Sequence, residues 1–366
     1  MKIIQIIPTL GVGGAEAVCE SLTKSLSLLG HDVTVISLYS ENTIITERLI
    51  NNGNKLIFLD KQTGIDIKCV RRLRRLINEI KPDVIHTHLY ALKYAVLASL
   101  GKNITIIHTV HNVALKESNK INRIVNKLIF SLNMATPVAL SKEIKETVKE
   151  IYYLSDDRIP IILNGIDLSL CKSKKDYLLK DPIKIIHVGR FFEQKNHEYI
   201  IECAKQLSTL KNIEISFFGD GPCIEKCIQL VKNYNLEDVI LFKGVSSNIY
   251  NELNNSDIFI LPSKWEGVPI SIIEAMGTGL PIIASNVGGI SDMIINGQQG
   301  ILIDPNTNEL TEALLRLIDD FDLRKEIGIN AKKMSIEFSV QTMSQKYLKL
   351  YKERSLIIGK NIRNTI

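Results

Sequence analysis

The apolar runs of this 366-residue chain are on the order of four residues long, Ile258 to Leu261 being typical, whereas a helix crossing a bilayer needs ~20. That shortage excludes a spanning helix. The start, MKIIQIIPTLGVGG, also lacks the parts of a signal peptide: Gln5 interrupts its apolar run, Pro8 ends it and no small-residue cleavage site follows. It is expected to form a first β-strand, and the protein is expected in the cytoplasm. No two of the six cysteines have CxxC spacing; Cys223 and Cys227 stand at a helical i,i+4 interval, which suits reduced core thiols. Low-complexity segments and short repeats are absent. With 45% hydrophobic and 23% charged residues the chain is neither disordered nor fibrous, and its length suggests two domains, each with its own core.

No single sign of charge dominates the whole, yet the halves differ. Residues 1–180 carry 25 Lys and Arg against 17 Asp and Glu, and residues 181–366 carry 20 against 23. Only the first half is therefore expected to face an anionic surface. What is abundant is short runs rich in Ile and Val: 2–7, 32–37, 55–59, 83–87 and 104–109, then 183–188, 213–218, 239–242, 257–261 and 280–285. They lack strict alternation, as strands buried on both faces do, and helical periods such as Ala15–Leu29 and Ile224–Tyr234 separate them. A β-α-β-α order run twice specifies an α/β protein of two Rossmann-like parallel-sheet domains. The pattern lapses in Leu168–Asp181, so the expected division is 1–175, 176–340 and a C-terminal helix and tail, 341–366, packing back on the first domain. Ligands of such folds sit beyond the carboxyl ends of the strands, and two facing domains would make that region a cleft.

The residues after the strands carry the chemistry. The first strand runs into PTLGVGGAE, where Gly11, Gly13 and Gly14 precede a helix whose first N–H groups attract anions. Glu16 stands where a dinucleotide fingerprint needs a third glycine, which disfavours plain NAD binding. His86, His88, His108 and His111 cluster at strand ends, but no acidic residue or cysteine joins them, so no metal site is expected. His86 and His108 read as core residues; His111, past its strand in TVHN, is better placed to reach a substrate. In the second half Arg190 and Lys195 follow Gly189 in VGRFFEQKN, a pairing that suits a diphosphate or, alone, a solvated loop. Gly219 and Gly221 flank Asp220 in FFGDGP, where a flat base could lie on backbone or Asp220 could merely make a turn. The stretch LPSKWEGVPISIIEAMGTGLPIIASNVGG puts Glu266 ahead of a helix and Glu274 about two turns into it, with Gly267, Val268, Ile270 and Ser271 at the helix start as a phosphate cradle.

Taken in order, GGAE, TVHN, ILNGID, VGRFFEQKN, GDGP and the Glu-x7-Glu block resemble the retaining glycosyltransferases of family 4, which have the GT-B fold of two Rossmann-like domains facing across a cleft. The resemblance spans almost the whole chain. It implies transfer of a sugar from a nucleotide-diphosphate sugar, a UDP-sugar foremost, to a hydroxyl of a saccharide or lipid-linked saccharide in bacterial surface polysaccharide synthesis. By the same resemblance Glu274 holds ribose hydroxyls, Arg190 and Lys195 the diphosphate, Glu266 and the amides after it the sugar, and His111 a sugar hydroxyl. Gly13, Gly14 and Glu16 would lie near the acceptor or donor phosphate. Family members often have Phe-Gly where this chain has Val268 and Pro269, and Pro269 has no N–H to donate. Nothing nominates a nucleophile, so same-face attack assisted by the leaving diphosphate is expected, with no cofactor and no fixed metal. The one Asp-x-Asp, Asp320 and Asp322, reads as a solvated helix end. Rival readings are a GT-B sugar-nucleotide 2-epimerase, which needs no acceptor, and a non-catalytic nucleotide-sugar-binding protein. No nucleic-acid partner is expected.

Two basic amphipathic stretches remain. In Asp66–Lys81, Cys69, Val70, Leu73, Leu76, Ile77 and Ile80 oppose Lys68, Arg71, Arg72, Arg74 and Arg75. In Leu115–Leu132, Ile121, Ile124, Val125, Leu128 and Ile129 oppose Lys116, Lys120, Arg123 and Lys127. The first reads as a packed surface helix. The second, next to His111, is expected to hold the protein at an anionic inner-leaflet surface through its cations.

Overall fold

The computed structural model describes all residues except 12, 65, 113–119, 306 and 364–366, and no side chains at 307 or 357–363. The chain divides into two compact units: residues 1–165 with 340–366, and residues 166–339.

The first unit contains β1 (Lys2–Ile7), β2 (Asp32–Ser37), β3 (Lys55–Phe58), β4 (Val84–His88), β5 (Thr105–Val110) and β6 (Thr136–Ala139), all paired in parallel in the order 3-2-1-4-5-6. In β1 both faces are covered, and Ile3, Ile4, Ile6 and Ile7 are fully buried, which is why the run shows no alternation. The second unit contains β7 (Ile183–Val188), β8 (Ile213–Phe218), β9 (Ile240–Gly244), β10 (Ile258–Leu261), β11 (Ile282–Ser285) and β12 (Ile301–Ile303), ordered 12-11-10-7-8-9. Counted from its own first strand, that is the same doubly wound order. In each sheet the order therefore reverses between the first strand of the unit and its fourth: between β1 and β4, and between β7 and β10. Loops leaving the carboxyl ends of those strands open a crevice at each reversal.

β6 and β12 were not among the expected strands. Both are sheet edges; Pro137 sits in β6, and β12 has three residues. An edge strand needs neither length nor an uninterrupted set of donors, so neither leaves a strong pattern. The stretch Leu168–Asp181, where the sequence loses its pattern, packs within the second unit. Lys174 N donates to Thr278 O (2.8 Å), the Tyr177 hydroxyl donates to Gly279 O (3.0 Å), and Lys174 Nζ lies 3.5 Å from buried Asp257. A Cβ on Gly277 would come within 2.6 Å of Cys171 Sγ, so the stretch lies tightly on helix Ile270–Thr278.

Helix Val340–Arg363 belongs to the first unit, where it packs on helix Gly14–Leu28 and on β5. Its Met343, Tyr347 and Tyr351 are buried. The two tyrosines end on the sheet's polar interior: Tyr351 Oη is 2.7 Å from His86 Nδ1, and Tyr347 Oη is 2.7 Å from Thr109 Oγ1, which in turn is 2.7 Å from His86 Nε2. Helix and sheet are thus joined by a buried polar chain that water cannot replace. Tyr351→Phe strands the His86 nitrogen and is expected to cost about 1–3 kcal/mol in urea unfolding, with the far-ultraviolet dichroism unchanged. A loss under about 0.5 kcal/mol, the range of neutral surface changes, would show that the helix is held by its apolar contacts alone.

Candidate functional site

In the second unit, the loops that leave β7 and β10 at the reversal are bound to each other. Lys195 Nζ, after β7, donates to Glu266 Oε1, after β10, at 2.6 Å, and both side chains are largely buried. Gln194 Nε2 reaches Glu266 Oε2 (3.2 Å) and Trp265 O (2.9 Å), Lys264 N donates to Gln194 O (2.8 Å), and Asn196 Nδ2 donates to Pro262 O (3.2 Å). Gly189 eases this path: a Cβ there would press on the Lys195 stem at 3.1 Å and on His187 Nε2 at 3.2 Å, contacts that glycine avoids. Gly288, at φ +59°, closes the other side, since a Cβ there would overlap Glu266 O, and Gly289 N donates to Gly267 O (2.9 Å).

Glu266 is only 4% exposed, while Glu274 is half-buried. Glu274 lies just over one turn into helix Ile270–Thr278, not the two turns expected. Pro269 caps that helix without a side-chain bond, its carbonyl accepting from Ile272 N (3.2 Å). The first-turn amides, those of Ile270 and Ser271 among them, have no acceptor inside the helix, and the helix dipole adds positive potential at this end. Val268, Ile270 and Ser271 are buried around it.

Arg190 is exposed, its guanidinium 4.9 Å from the Phe192 ring centre. Lys195 is committed to Glu266, so the structure gives the two cations different partners. The turn Gly219–Gly221 abuts the same loop. Phe191 N donates to Asp220 O (2.9 Å) and Gly189 N to Phe218 O (3.0 Å). Gly219 at φ +144° and Gly221 at φ +154° leave no room for a Cβ against the backbone of Gly189 and Phe191. Asp220 Oδ1 accepts from Gly221 N (2.7 Å), which is the turn role for that residue. Asp320 likewise caps helix Phe321–Met334 by accepting from Leu323 N (2.9 Å).

In the first unit the β1/β4 reversal carries a hydrogen-bonded relay. Gln5 Nε2 donates to Thr23 Oγ1 (2.7 Å), so its Oε1 accepts from His88 Nε2 (3.0 Å); His88 Nδ1 then accepts from His111 Nε2 (2.9 Å). His111, after β5, is thereby held with its proton on Nε2 and an acceptor at Nδ1. Burial pushes His108 and His111 down to about 3, the field of His108 adding to the effect on His111, and burial also holds His86 and His88 well below the ordinary 6.5. These rings are neutral hydrogen-bonding groups at neutral pH. His86 and His108 are core residues, as their positions inside strands indicated. Gly13 is the uncapped start of helix Gly14–Leu28, and Glu16, 8% exposed, folds over it: a Cβ on Gly13 would lie 2.5 Å from Glu16 Oε2. The chain's own carboxylate therefore faces that helix start. Among the described residues no cluster of His, Cys, Asp and Glu could hold a metal ion, and no helix is long and apolar enough to cross a membrane.

Sequence reasoning did not find Gln5, Gln194, Trp265 or Gly288. Gln5 had a signal, a polar residue inside an otherwise apolar strand; the others act through contacts that spacing does not show.

The sequence profile described as Glycosyltransferase Family 4 matches residues 12–170, and the one described as Glycosyl transferases group 1 matches residues 172–334. A UDP-Gal:alpha-D-GlcNAc-diphosphoundecaprenol alpha-1,3-galactosyltransferase of Escherichia coli is 33% identical over 280 residues, 70% of this chain and 71% of the relative. An N-acetyl-alpha-D-glucosaminyl L-malate synthase of Bacillus anthracis is 26% identical, with 93% of each chain covered. Of solved structures, Anabaena HepE in complex with UDP and glucose is similar at a TM-score of 0.86 and 19% identity, over 96% of this chain and 99% of that one.

The buried neutral histidines generate a pH dependence. Their folded values lie below 6.5, so the unfolded chain binds more protons as pH falls from about 6.5 toward about 3. Their contribution to stability is complete above about 6.5 and is lost progressively below it. Urea midpoints should already decline between about pH 6.5 and about pH 5, above the range where carboxylates titrate. A flat midpoint across that interval would mean that the rings are charged in the fold.

Proposed function

The chain belongs to glycosyltransferase family 4, its second half matching the group 1 glycosyl transferases, and from that premise we propose that it is a retaining, hexosyl-transferring enzyme using a nucleotide-diphosphate sugar, a UDP-sugar foremost. The acceptor in this reading is a hydroxyl of a saccharide on a lipid carrier, and the setting is surface polysaccharide synthesis on the cytoplasmic side of a membrane. The observation that carries it is the buried Lys195–Glu266 pair beside the uncapped start of helix Ile270–Thr278, at the strand-order reversal of the second sheet. A cation, a carboxylate and unpaired amides within one crevice suit a ligand that is both sugar and phosphate. The Escherichia coli relative, whose name specifies a UDP-sugar donor and a diphosphoundecaprenol-linked acceptor, supports the choice of substrates.

In the proposed chemistry the bond from the anomeric carbon to the leaving phosphate oxygen breaks, and a bond to the acceptor oxygen forms on the same face. The acceptor proton passes to the departing diphosphate. Arg190, free to swing from Phe192, and the amides of Ile270 and Ser271 meet the charge that grows on the diphosphate. Lys195 is a positioning residue in the ground state, fixing Glu266 toward the sugar hydroxyls. By resemblance to the family, His111, which donates a hydrogen bond from Nε2 to His88, is assigned to a sugar hydroxyl. The charge is met by protein cations and amides, so the reading assigns no metal to the step. A fold shared with nucleotide-sugar 2-epimerases requires a discriminating assay: release of UDP that depends on acceptor supports transfer and excludes both the epimerase and the binding-protein readings.

Glu274→Gln removes a charged acceptor of ribose hydroxyls and is expected to weaken UDP binding by about ten- to a hundredfold in calorimetry, each charge-assisted bond contributing about 1.5–3 kcal/mol. Unchanged affinity would remove Glu274 from the donor site. Arg190→Ala should lower kcat with little change in KM. A rise in KM alone would make Arg190 a binding clamp and refute its part in the transition state.

A further inference from the structure

The two basic amphipathic helices of the first unit have opposite fates. In helix Ile67–Ile80, capped by Asp66, the stripe Cys69, Leu73 and Ile77 is buried against the unit. In helix Lys120–Ser131 the apolar residues divide. Ile129 and Phe130 are buried, but Ile121 is 73% exposed, Ile124 71%, Leu128 60% and the following Leu132 61%. The expectation gave the surface contact to the cations alone; the structure turns part of the apolar line outward as well. The spacing 121, 124, 128, 132 runs along one line of the helix surface, so the four chains form a continuous outward stripe. Lys116 of the expected basic set lies outside the described residues.

Charge says what covers the stripe. Lys120 and Lys127, seven residues apart, flank one side of it, Arg123 lies on the next turn, and the sequence holds no Asp or Glu between Glu117 and Glu143. Tyr153, 78% exposed, stands beside Lys127, whose Nζ is 3.8 Å from the ring centre. Isoleucine and leucine in a line, cations along its border and a tyrosine at its end match the boundary between phosphate headgroups and acyl chains. A second copy of the chain would bring like charges together across the stripe, which opposes self-association.

We propose that helix Lys120–Ser131 is a membrane-seating element that inserts Ile121, Ile124, Leu128 and Leu132 below the headgroups of an anionic phospholipid bilayer while Lys120, Arg123 and Lys127 bind the phosphates. It deepens the lipid-linked-acceptor reading and rests on it for purpose, since a lipid-linked acceptor is confined to that surface. The test uses vesicles free of any acceptor, so the two can fail separately.

The full chain is floated with phosphatidylglycerol–phosphatidylcholine vesicles and with phosphatidylcholine vesicles, at low and high ionic strength. It is expected to float with the anionic vesicles, less so at high salt. The variant K120Q/R123Q/K127Q should lose about fivefold in partitioning per charge, and I121S/I124S/L128S/L132S about a hundredfold, its unfolding midpoint unchanged because those side chains are exposed. Protein left at the bottom with anionic vesicles at low salt would overturn the proposal. So would equal flotation with phosphatidylcholine alone, or wild-type flotation of the serine variant. A lipid-free dimer that the serine variant abolishes would assign the stripe to a second copy instead. Normal flotation by a protein that transfers no sugar would support the seating element and count against the proposed function.

Discussion

The second unit is organised around one buried ion pair. Lys195 and Glu266 leave strands that are neighbours in the sheet but belong to opposite directions of winding, and their 2.6 Å contact ties together the two loops at the place where the sheet changes direction. A buried pair of this kind is costly to desolvate and strongly destabilising to break on one side. The surrounding residues reduce that cost: Gln194 satisfies the second carboxylate oxygen, Gly189 eases the lysine's path, and Gly288 lets the backbone close over Glu266. Each of these is a small or polar residue whose reason lies in the pair.

The first unit solves the same geometric problem with neutral groups. Its reversal is filled by a line of hydrogen bonds from Thr23 through Gln5 and His88 to His111. Burial keeps the rings uncharged, and the fixed direction of each donor sets which nitrogen the last histidine presents. One reversal thus holds paired opposite charges and the other holds oriented dipoles. In the proposed reading, that difference would suit the second unit to a charged donor and the first to hydroxyl groups.

Legibility in the sequence followed the physics of each feature. The central strands were readable because burial on both faces demands unbroken apolar runs, and the two missed strands were edges, where Pro137 is tolerated and three residues suffice. Strand-end loops could be nominated from strand positions alone, so Gly189, Lys195 and Glu266 were found. Their pairing across 71 residues could not, because it depends on which strands become neighbours. The burial of Glu266 over Glu274 was hidden for the same reason. Periodicity gave the stripes of both amphipathic helices correctly as lines on a cylinder, but it carries no information about what lies opposite. Only the packed structure separates the covered stripe of Cys69, Leu73 and Ile77 from the bare one of Ile121, Ile124 and Leu128.

The placement of helix Val340–Arg363 bears on the order in which the protein comes into being. The second unit is continuous in the chain, whereas the first is interrupted by it and takes its covering helix from residues made afterwards. During translation, β1 to β6 emerge first, yet His86 and Thr109 stay open to water until Tyr347 and Tyr351 leave the ribosome. The later unit can reach its native state while the earlier one waits. The core histidine His86 is therefore among the last groups to be set in place, and a chain halted anywhere in the second unit has a first sheet that its C-terminal helix does not yet cover.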